Sequence, residues 1–303
     1  MKIKSISSKK YNGKVYNFEC HPSHTYIANG VVVHNCDVPK VEWKGNATFE
    51  DLKKQFYSAI SLFPGVKYTE RLNLHFARMG EPIFNQAVFE FAIWLYKSKA
   101  EIKRDTGLSI EVIHPVLTTS LPRAYKPLER KILEWCEIKN NLYNGQAGLQ
   151  FSINSTNEEQ RRIMFDNMSL TLEELSAIAE RMPDPLSRKY CLNFAYSTDF
   201  EIDAKKVRSL FDPNKFMCKI TPIHNNNACR ENGIETVDGY ESYRPYTIPE
   251  ETLKAAGFDV LVFVPSFDEE KGLVTCGNAI LGGSQLEATT EPLKIKGIEV
   301  VAG

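Results

Sequence analysis

The feature that most constrains the fold of this chain is a regular alternation of strand and helix patterns between residues 71 and 265. Short runs rich in β-branched and aromatic residues alternate with longer segments in which apolar residues recur every three or four positions. This alternation predicts a largely parallel sheet with helical crossovers, and therefore an α/β fold. The predicted strands are 71–77, 110–117, 149–154, 190–196, 216–223 and 260–265. The predicted helices are 83–99, 127–143, 158–164, 172–181, 204–211 and 249–256.

Two segments between these elements carry local signals. Thr171 and Glu174 have the spacing of a capping box at the start of the helix 172–181. Residues 225–246 are polar and rich in turn-forming residues, so we expect a long functional loop there. Parallel sheets bind their ligands beyond the carboxyl ends of the strands, which makes that edge the expected site.

The composition is that of a soluble globular protein. Hydrophobic residues make up 43% of the chain and charged residues 25%, and the formal net charge is −1. No apolar run approaches the roughly 20 residues that cross a bilayer, and the lysine-rich start does not have the pattern of a secretory signal. The seven cysteines are an odd number and form no CxxC pair. This favours a reducing cytoplasm and argues against a self-contained metal site.

The tripeptide His34-Asn35-Cys36 combines three side chains that can cut and rejoin a polypeptide. The side-chain amide of Asn35 can attack its own backbone carbonyl, which cuts the chain after residue 35. His34 can donate the proton that the departing amide needs. The thiolate of Cys36 is a strong nucleophile that can first accept an acyl chain as a thioester. These residue types in this order therefore indicate that the segment before Cys36 excises itself.

Residues 1–35 resemble the carboxy-terminal fragment of an intein, although Asn17 stands where many inteins carry an aspartate. The resemblance implies a small all-β splicing fragment, and 35 residues are too few to bury a core alone. Because Met1 stands just before the fragment, we expect a naturally split intein whose amino-terminal half lies on a separate partner chain. The net charge of +4 on residues 1–35, against −5 on the remainder, favours attraction to an acidic partner fragment. The residues that the resemblance marks as catalytic are His24, His34, Asn35 and Cys36.

Small and polar residues follow several of the predicted strands. Gly80 allows backbone to approach a ligand closely, and the carboxylate of Glu81 can pair with a cation. Each residue alone also fits a plainer interpretation, such as a polar turn, a surface histidine or a buried cysteine. The residues concerned are Gly80, Glu81, Pro82, Ser120, Ser152, Asn154, His224 and Cys276.

The segment Met79-Gly80-Glu81-Pro82 is similar to the signature of radical S-adenosylmethionine (AdoMet) enzymes in the family of RNA adenine carbon-2 methyltransferases. The resemblance covers residues 36–285 and leaves 286–303 as a tail. It implies a partial (β/α)6 barrel that lacks its first strand. Asn154 and His224 stand where the family has a histidine and an asparagine, so the substrate stays open, with RNA as one candidate. The implied AdoMet-binding residues are Gly80, Glu81, Pro82, Ser120, Ser152, Asn154 and His224, and Cys276 matches the methyl-accepting cysteine.

The two resemblances meet at Cys36. The family binds a 4Fe–4S cluster through a CxxxCxxC motif, and the residues after Cys36 resemble those after the third cysteine of that motif. The resemblance thus implies that Cys36 becomes an iron ligand after splicing and that the partner chain supplies the first strand and two cysteines. The competing interpretations are a non-catalytic phosphate-binding or interaction module that retains the fold, and an orphan fragment with no partner. The sequence does not identify the substrate, the electron donor or the oligomeric state.

Overall fold

A computed structural model describes residues 26–28, 31–33, 45–77, 80–223 and 242–264. The strands are β1 (Tyr26–Ala28), β2 (Val31–Val33), β3 (Tyr68–Phe76), β4 (Ser109–Thr119), β5 (Gly148–Ser152), β6 (Tyr190–Tyr196), β7 (Phe216–Pro222) and β8 (Val260–Val262). The helices are α1 (Phe49–Ser61), α2 (Gln86–Lys97), α3 (Lys99–Thr106), α4 (Leu128–Glu137), α5 (Glu158–Met164), α6 (Leu172–Arg181), α7 (Ala204–Leu210) and α8 (Thr247–Ala255). Short 3₁₀ helices span Pro82–Phe84 and Arg244–Tyr246, and a π-helical turn spans Ile138–Leu142.

Strands β3 to β8 form one six-stranded sheet in which every strand lies beside the next one along the chain. All five pairings are parallel, and the sheet curls into a half-barrel. The short strands β1 and β2 pair with each other in antiparallel register. The six parallel strands confirm the α/β fold and agree with a partial barrel, whereas a complete intein fragment lies outside the described residues.

The two faces of the sheet differ in chemistry because side chains alternate along each strand. The outer face is apolar and is covered by helices. On it Phe76 packs edge-on against Phe91 of α2 and Trp135 of α4, with ring centroids 6.2 and 6.0 Å away. Burying a phenylalanine in this way stabilises the fold by roughly 1.5–3 kcal/mol. The inner face is largely polar, and one row of it places Ser152, Asn193 and Lys219 in register on β5, β6 and β7.

The predicted elements agree closely with the observed ones where the pattern was strong. The helices 158–164 and 172–181 and the strand 190–196 have the predicted bounds. Thr171 and Glu174 form the predicted capping box, with each side chain bonded to the other residue's backbone. Most other elements differ from prediction by only one to three residues at an end.

The structure differs from the prediction in two helical regions and describes only part of the predicted loop. The segment 83–99 is not one helix, because Asn85 accepts a hydrogen bond from the backbone N of Ala87 and starts a new helix there. Helix α1 was not predicted, although Thr48 and Asp51 form a capping box at its start. Of the predicted loop 225–246, only 242–246 fall within the described residues, and they contain the short helix Arg244–Tyr246.

No helix among the described residues is both long enough and apolar enough to cross a lipid bilayer.

Candidate functional site

The carboxyl ends of the six parallel strands meet at one edge of the half-barrel, as the parallel pairing requires. Strands β3 and β4 end at Phe76 and Thr119, and β5 ends at Ser152. The residues that follow these ends are therefore neighbours in space although they are far apart in the chain. Six of the predicted site residues lie in this region, and they are Gly80, Glu81, Pro82, Ser120, Ser152 and Asn154.

Glu81 and Ser120 join the ends of β3 and β4. The Glu81 Oε2 atom accepts hydrogen bonds from the backbone N of Ser120 at 2.8 Å and from Ser120 Oγ at 2.7 Å. The Glu81 Oε1 atom accepts a longer bond, 3.3 Å, from the backbone N of Ile83. Glu81 thus caps the 3₁₀ helix that begins with Pro82 while it holds Ser120 in place.

The electrostatics of Glu81 reflect two opposing effects. Burial raises the pKa of the Glu81 carboxyl group, because a buried carboxylate loses the hydration of its charge. The hydrogen bonds from Ser120, Thr119 and Ile83 favour the charged form and oppose this shift. A buried carboxylate of this kind gains from a cation that approaches it, since the attraction is weakly screened there.

Gly80 has a backbone conformation that favours glycine, with φ at +81°. A Cβ atom built on Gly80 meets nothing within 4 Å among the described residues. The positive φ therefore fixes the residue type, and the space beside the backbone is open to a ligand.

Ser152 is the last residue of β5, and Asn154 follows the strand and contacts β6. Ser152 lies in register with Asn193. Asn154 has φ at +62°, and its Oδ1 atom accepts a hydrogen bond of 3.1 Å from the backbone N of Ala195. The Oδ1 atom of Asn193 is buried and has no hydrogen-bond partner among the described residues. Because a buried acceptor without a partner is costly, Asn193 is a candidate ligand contact that the sequence did not reveal.

A buried arginine connects the polypeptide segments at this edge of the sheet. Arg161 of α5 is 2% exposed, and it donates to the carbonyl O of Ile153 and, at 2.8 Å, to that of Leu170. Its Nη2 atom also lies 3.2 Å from Ser169 Oγ, which in turn donates to the carbonyl O of Ser120 at 2.7 Å. Arg161 therefore ties the loop after β5 to the loop after β4. No motif in the sequence marked this role.

The remaining predicted site residues lie outside the described residues, and so does most of the predicted splicing fragment. They are His24, His34, Asn35, Cys36, His224 and Cys276. Within the ranges that the structure describes, no group of three or more His, Cys, Asp or Glu side chains could hold a metal ion. The roles predicted for these residues stay predictions.

Comparison with known proteins gives a short sequence match and an extended structural match. No protein-family model matches the chain. DNA topoisomerase 1 of Pyrococcus furiosus is 50% identical over 40 residues, which are 13% of this chain and 4% of the topoisomerase. A match of this length does not establish a family.

The extended match is to a solved structure, a radical SAM methyltransferase from Sphaerobacter thermophilus. The two structures align with a TM-score of 0.53 and 15% sequence identity over 80% of this chain. The aligned part is 64% of the methyltransferase, so this chain covers less than two thirds of that protein's length. At this identity the match concerns the fold alone. The described chain therefore has a radical-SAM-like α/β fold.

Proposed function

We propose that this chain is the carboxy-terminal precursor of a radical AdoMet enzyme that protein splicing completes. The observation that carries the proposal is the contact of Glu81 with Ser120 at the carboxyl edge of a sheet with a radical-SAM-like fold. The sequence motif lies at this edge, and the fold comparison independently supports a radical-SAM-like fold. A methyltransferase reaction through Cys276 is the finer part of the proposal, and it rests on the sequence resemblance.

The described residues fit AdoMet, which carries an ammonium group, a carboxylate and a sulfonium. The space beside Gly80 gives a ligand access to the backbone. The hydrogen bond that Glu81 Oε1 accepts from Ile83 is longer than the two that Oε2 accepts from Ser120. The Oε1 oxygen is therefore suited to the ammonium group. The unpaired Oδ1 atom of Asn193 offers a second acceptor on the inner face. Ser120 and Ser152 contribute hydroxyl groups that can orient the ligand's polar atoms.

The cluster requires ligands beyond the described residues. Cys36 is the one thiol of this chain that the resemblance assigns to it, and two cysteines of the partner chain complete the set. When bound, the reduced 4Fe–4S cluster and AdoMet supply a 5′-deoxyadenosyl radical. The residues of this chain would then have positioning roles. Glu81 would hold the ammonium group, and Arg161 would hold the loop after β5 directly and the loop after β4 through Ser169.

The position of α1 supports a missing strand next to β3. Helix α1 precedes β3 in the chain and packs against α2, with the rings of Phe49 and Phe56 each 6.0 Å from that of Phe91. Strand-helix-strand units are almost always right-handed, and each strand from β4 to β8 lies beside its predecessor. A strand before α1 would accordingly lie beside β3, at the edge of the described sheet. Cys36 would follow the end of that strand.

Splicing and iron binding at Cys36 can be tested in one co-expression experiment. The partner is a reading frame that ends in an intein amino-terminal half and carries the first two cysteines of the cluster motif. We expect Asn35→Ala to abolish the ligated product in intact-mass spectra, because no other side chain can cut the chain after residue 35. Ligated product in unchanged amount contradicts the splicing proposal.

Iron content then tests the second role of Cys36. After anaerobic reconstitution, the ligated wild-type protein is expected to bind about four irons and to cleave AdoMet under reduction. The ligated Cys36→Ser variant is expected to lose the cluster, whereas Cys229→Ser, which the resemblance gives no role, is expected to keep it. Full iron in the Cys36→Ser protein removes this residue from the ligand set. A ligated wild-type protein without iron or AdoMet cleavage favours the non-catalytic module.

A further inference from the structure

A second cluster of polar side chains lies on the inner face, well away from the carboxyl edge. Its centre is His114 of β4, whose side chain is fully buried at 0% exposure. The Nε atom of Arg71 lies 3.0 Å from His114 Nδ1, and the Nη1 atom of Arg188 lies 2.9 Å from His114 Nε2. Asn73 Oδ1 is 3.1 Å from the same Nδ1 atom. Five residues, or roughly 17 Å of strand, separate His114 from Thr119 at the carboxyl edge.

The hydrogen-bond donors in this cluster outnumber the acceptors. Each guanidinium group carries five N–H donors and no acceptor. The imidazole of His114 is neutral at pH 7, since burial and the adjacent Arg188 and Arg71 lower its pKa to about 4. A neutral imidazole offers one acceptor nitrogen, which cannot satisfy both arginines. Asn73 Oδ1 and the backbone of Gln146 also bond His114 itself. Arg71 is exposed and Arg188 is half-buried, so the guanidinium donors that His114 does not engage are open to solvent and to a ligand.

The charges in this region are also unbalanced. Burial and the nearby Arg71 lower the pKa of Arg188, which shows that the two guanidinium groups repel each other. The structure records no ion pair of either group with a carboxylate among the residues it describes. The inner-face positions of β3 to β7 likewise include no Asp or Glu among the described residues. The buried Lys139 adds to the positive potential. Burial lowers its pKa to about 8; Cys136 opposes this shift and the charge of Arg188 adds to it.

The backbone holds Arg188 in place. The N–H of Arg188 donates to the carbonyl O of Gly145 at 3.1 Å, and Lys139 Nζ donates to the same oxygen at 2.5 Å. Gly145 has φ at +76°, and a Cβ atom on it would lie 2.5 Å from the backbone N of Ser187. This close approach requires glycine, so Gly145 packs tightly against residues 186–187, which precede Arg188.

We propose that Arg71, Asn73, His114 and Arg188 form a binding site for a phosphate-class oxyanion. A tetrahedral oxyanion supplies the missing negative charge and several acceptor oxygens, and arginine pairs bind phosphate through parallel N–H donors. The site is independent of the proposed AdoMet site and of splicing, because every residue in it belongs to the described inner face. The ligand is free inorganic phosphate or the phosphate of a nucleotide, which share this chemistry.

The test is a calorimetric titration of the full chain with inorganic phosphate at constant ionic strength. We expect saturable binding by the wild type and at least a ten-fold loss of affinity in Arg188→Gln and in Arg71→Gln. Arg181→Gln is the matched control, since Arg181 pairs with Glu129 on the helical side of the molecule and its loss is expected to leave the affinity unchanged. Should Arg188→Gln fail to fold, Arg71→Gln carries the test, because the Arg71 residue is exposed.

Adenosine 5′-monophosphate and adenosine distinguish the two sources. Tighter binding of the nucleotide than of phosphate, lost in the arginine variants, assigns the site to a nucleotide phosphate. Equal affinity for the nucleotide and for inorganic phosphate assigns the site to the phosphate group alone. The proposal is overturned by the absence of saturable binding to either, or by undiminished affinity in the Arg71→Gln/Arg188→Gln double variant.

Discussion

At the scale of single residues, Glu81 has two tasks that make different demands on its carboxylate. Its Oε2 atom accepts two short hydrogen bonds from Ser120, whereas the bond that its Oε1 atom accepts from Ile83 is longer. A residue that only stabilised the turn would not need to be charged. The ionisable carboxyl group is therefore the part of Glu81 that points to a cationic ligand rather than to folding.

The pH dependence of the free energy of unfolding tests the ionisation of the Glu81 carboxyl group. The pKa of Glu81 is raised above its ordinary value of 4.5, so the folded chain binds this proton more tightly than the unfolded chain does. The free energy of unfolding must then fall as the pH rises from about 4.5 through the raised pKa. We expect Glu81→Gln to destabilise the fold by about 1–3 kcal/mol at pH 5, and by less at pH 8, in urea unfolding.

Glu129→Gln is the matched control for this prediction. Its hydrogen bond with Arg181 lowers the pKa of Glu129, so the stabilisation that it contributes is present throughout the range above pH 4.5. This control is expected to lose equal stability at pH 5 and pH 8. An equal loss for Glu81→Gln at the two pH values would mean that Glu81 does not ionise within this range.

The sequence predicted only part of the carboxyl-edge site. Gly80, Glu81 and Ser120 could be named because a short motif and the strand ends mark them. Arg161 could not be named, since its role depends on the carbonyl groups of Ile153 and Leu170, which come together only in the fold. Asn193 could not be named for a similar reason. Whether its Oδ1 atom has a hydrogen-bond partner depends on neighbours that only the fold brings together.

At the scale of elements, capping residues decided where the predictions succeeded. Helix α6 was predicted with correct bounds because Thr171 and Glu174 mark its start. The segment 83–99 was predicted as one helix because its apolar spacing continues, yet Asn85 interrupts it with a cap of its own. Helix α1 has a capping box that periodicity alone did not reveal. Local polar contacts thus set the boundaries that hydrophobic periodicity leaves open.

The capping box of α6 can be tested directly. In Thr171→Ala the backbone N–H of Glu174 loses its acceptor, the Thr171 Oγ1 atom, which lies 3.1 Å away in the structure. We expect a loss of about 1 kcal/mol in the free energy of unfolding, measured by urea denaturation. Thr171→Ser keeps the hydroxyl oxygen and is expected to retain most of that stability. A similar loss in both variants would assign the effect to the methyl group of Thr171 rather than to the cap.

At the scale of the whole molecule, the half-barrel is stabilised from one side. The helices bury the outer face, while the inner face keeps polar residues such as Asn73, Gln150 and Ser152. Binary patterning predicted the alternation of elements but not the curl of the sheet, because curl follows from strand order and twist rather than from composition. The incomplete sheet has β3 at one end, and this is where the proposed first strand has to pair.

Hydrogen exchange at β3 tests that pairing in the intact molecule. Edge strands leave the N–H and C=O groups on one side without a strand partner, so their amides exchange faster than those of central strands. We expect peptides from Tyr68–Phe76 to exchange rapidly in this chain alone and to become protected in the ligated product. Peptides from the central strand β6, Tyr190–Tyr196, are the internal control, because their pairing with β5 and β7 is already complete. Equal exchange of β3 before and after ligation would show that the partner chain does not extend the sheet at this edge, and the first strand would then have to lie elsewhere.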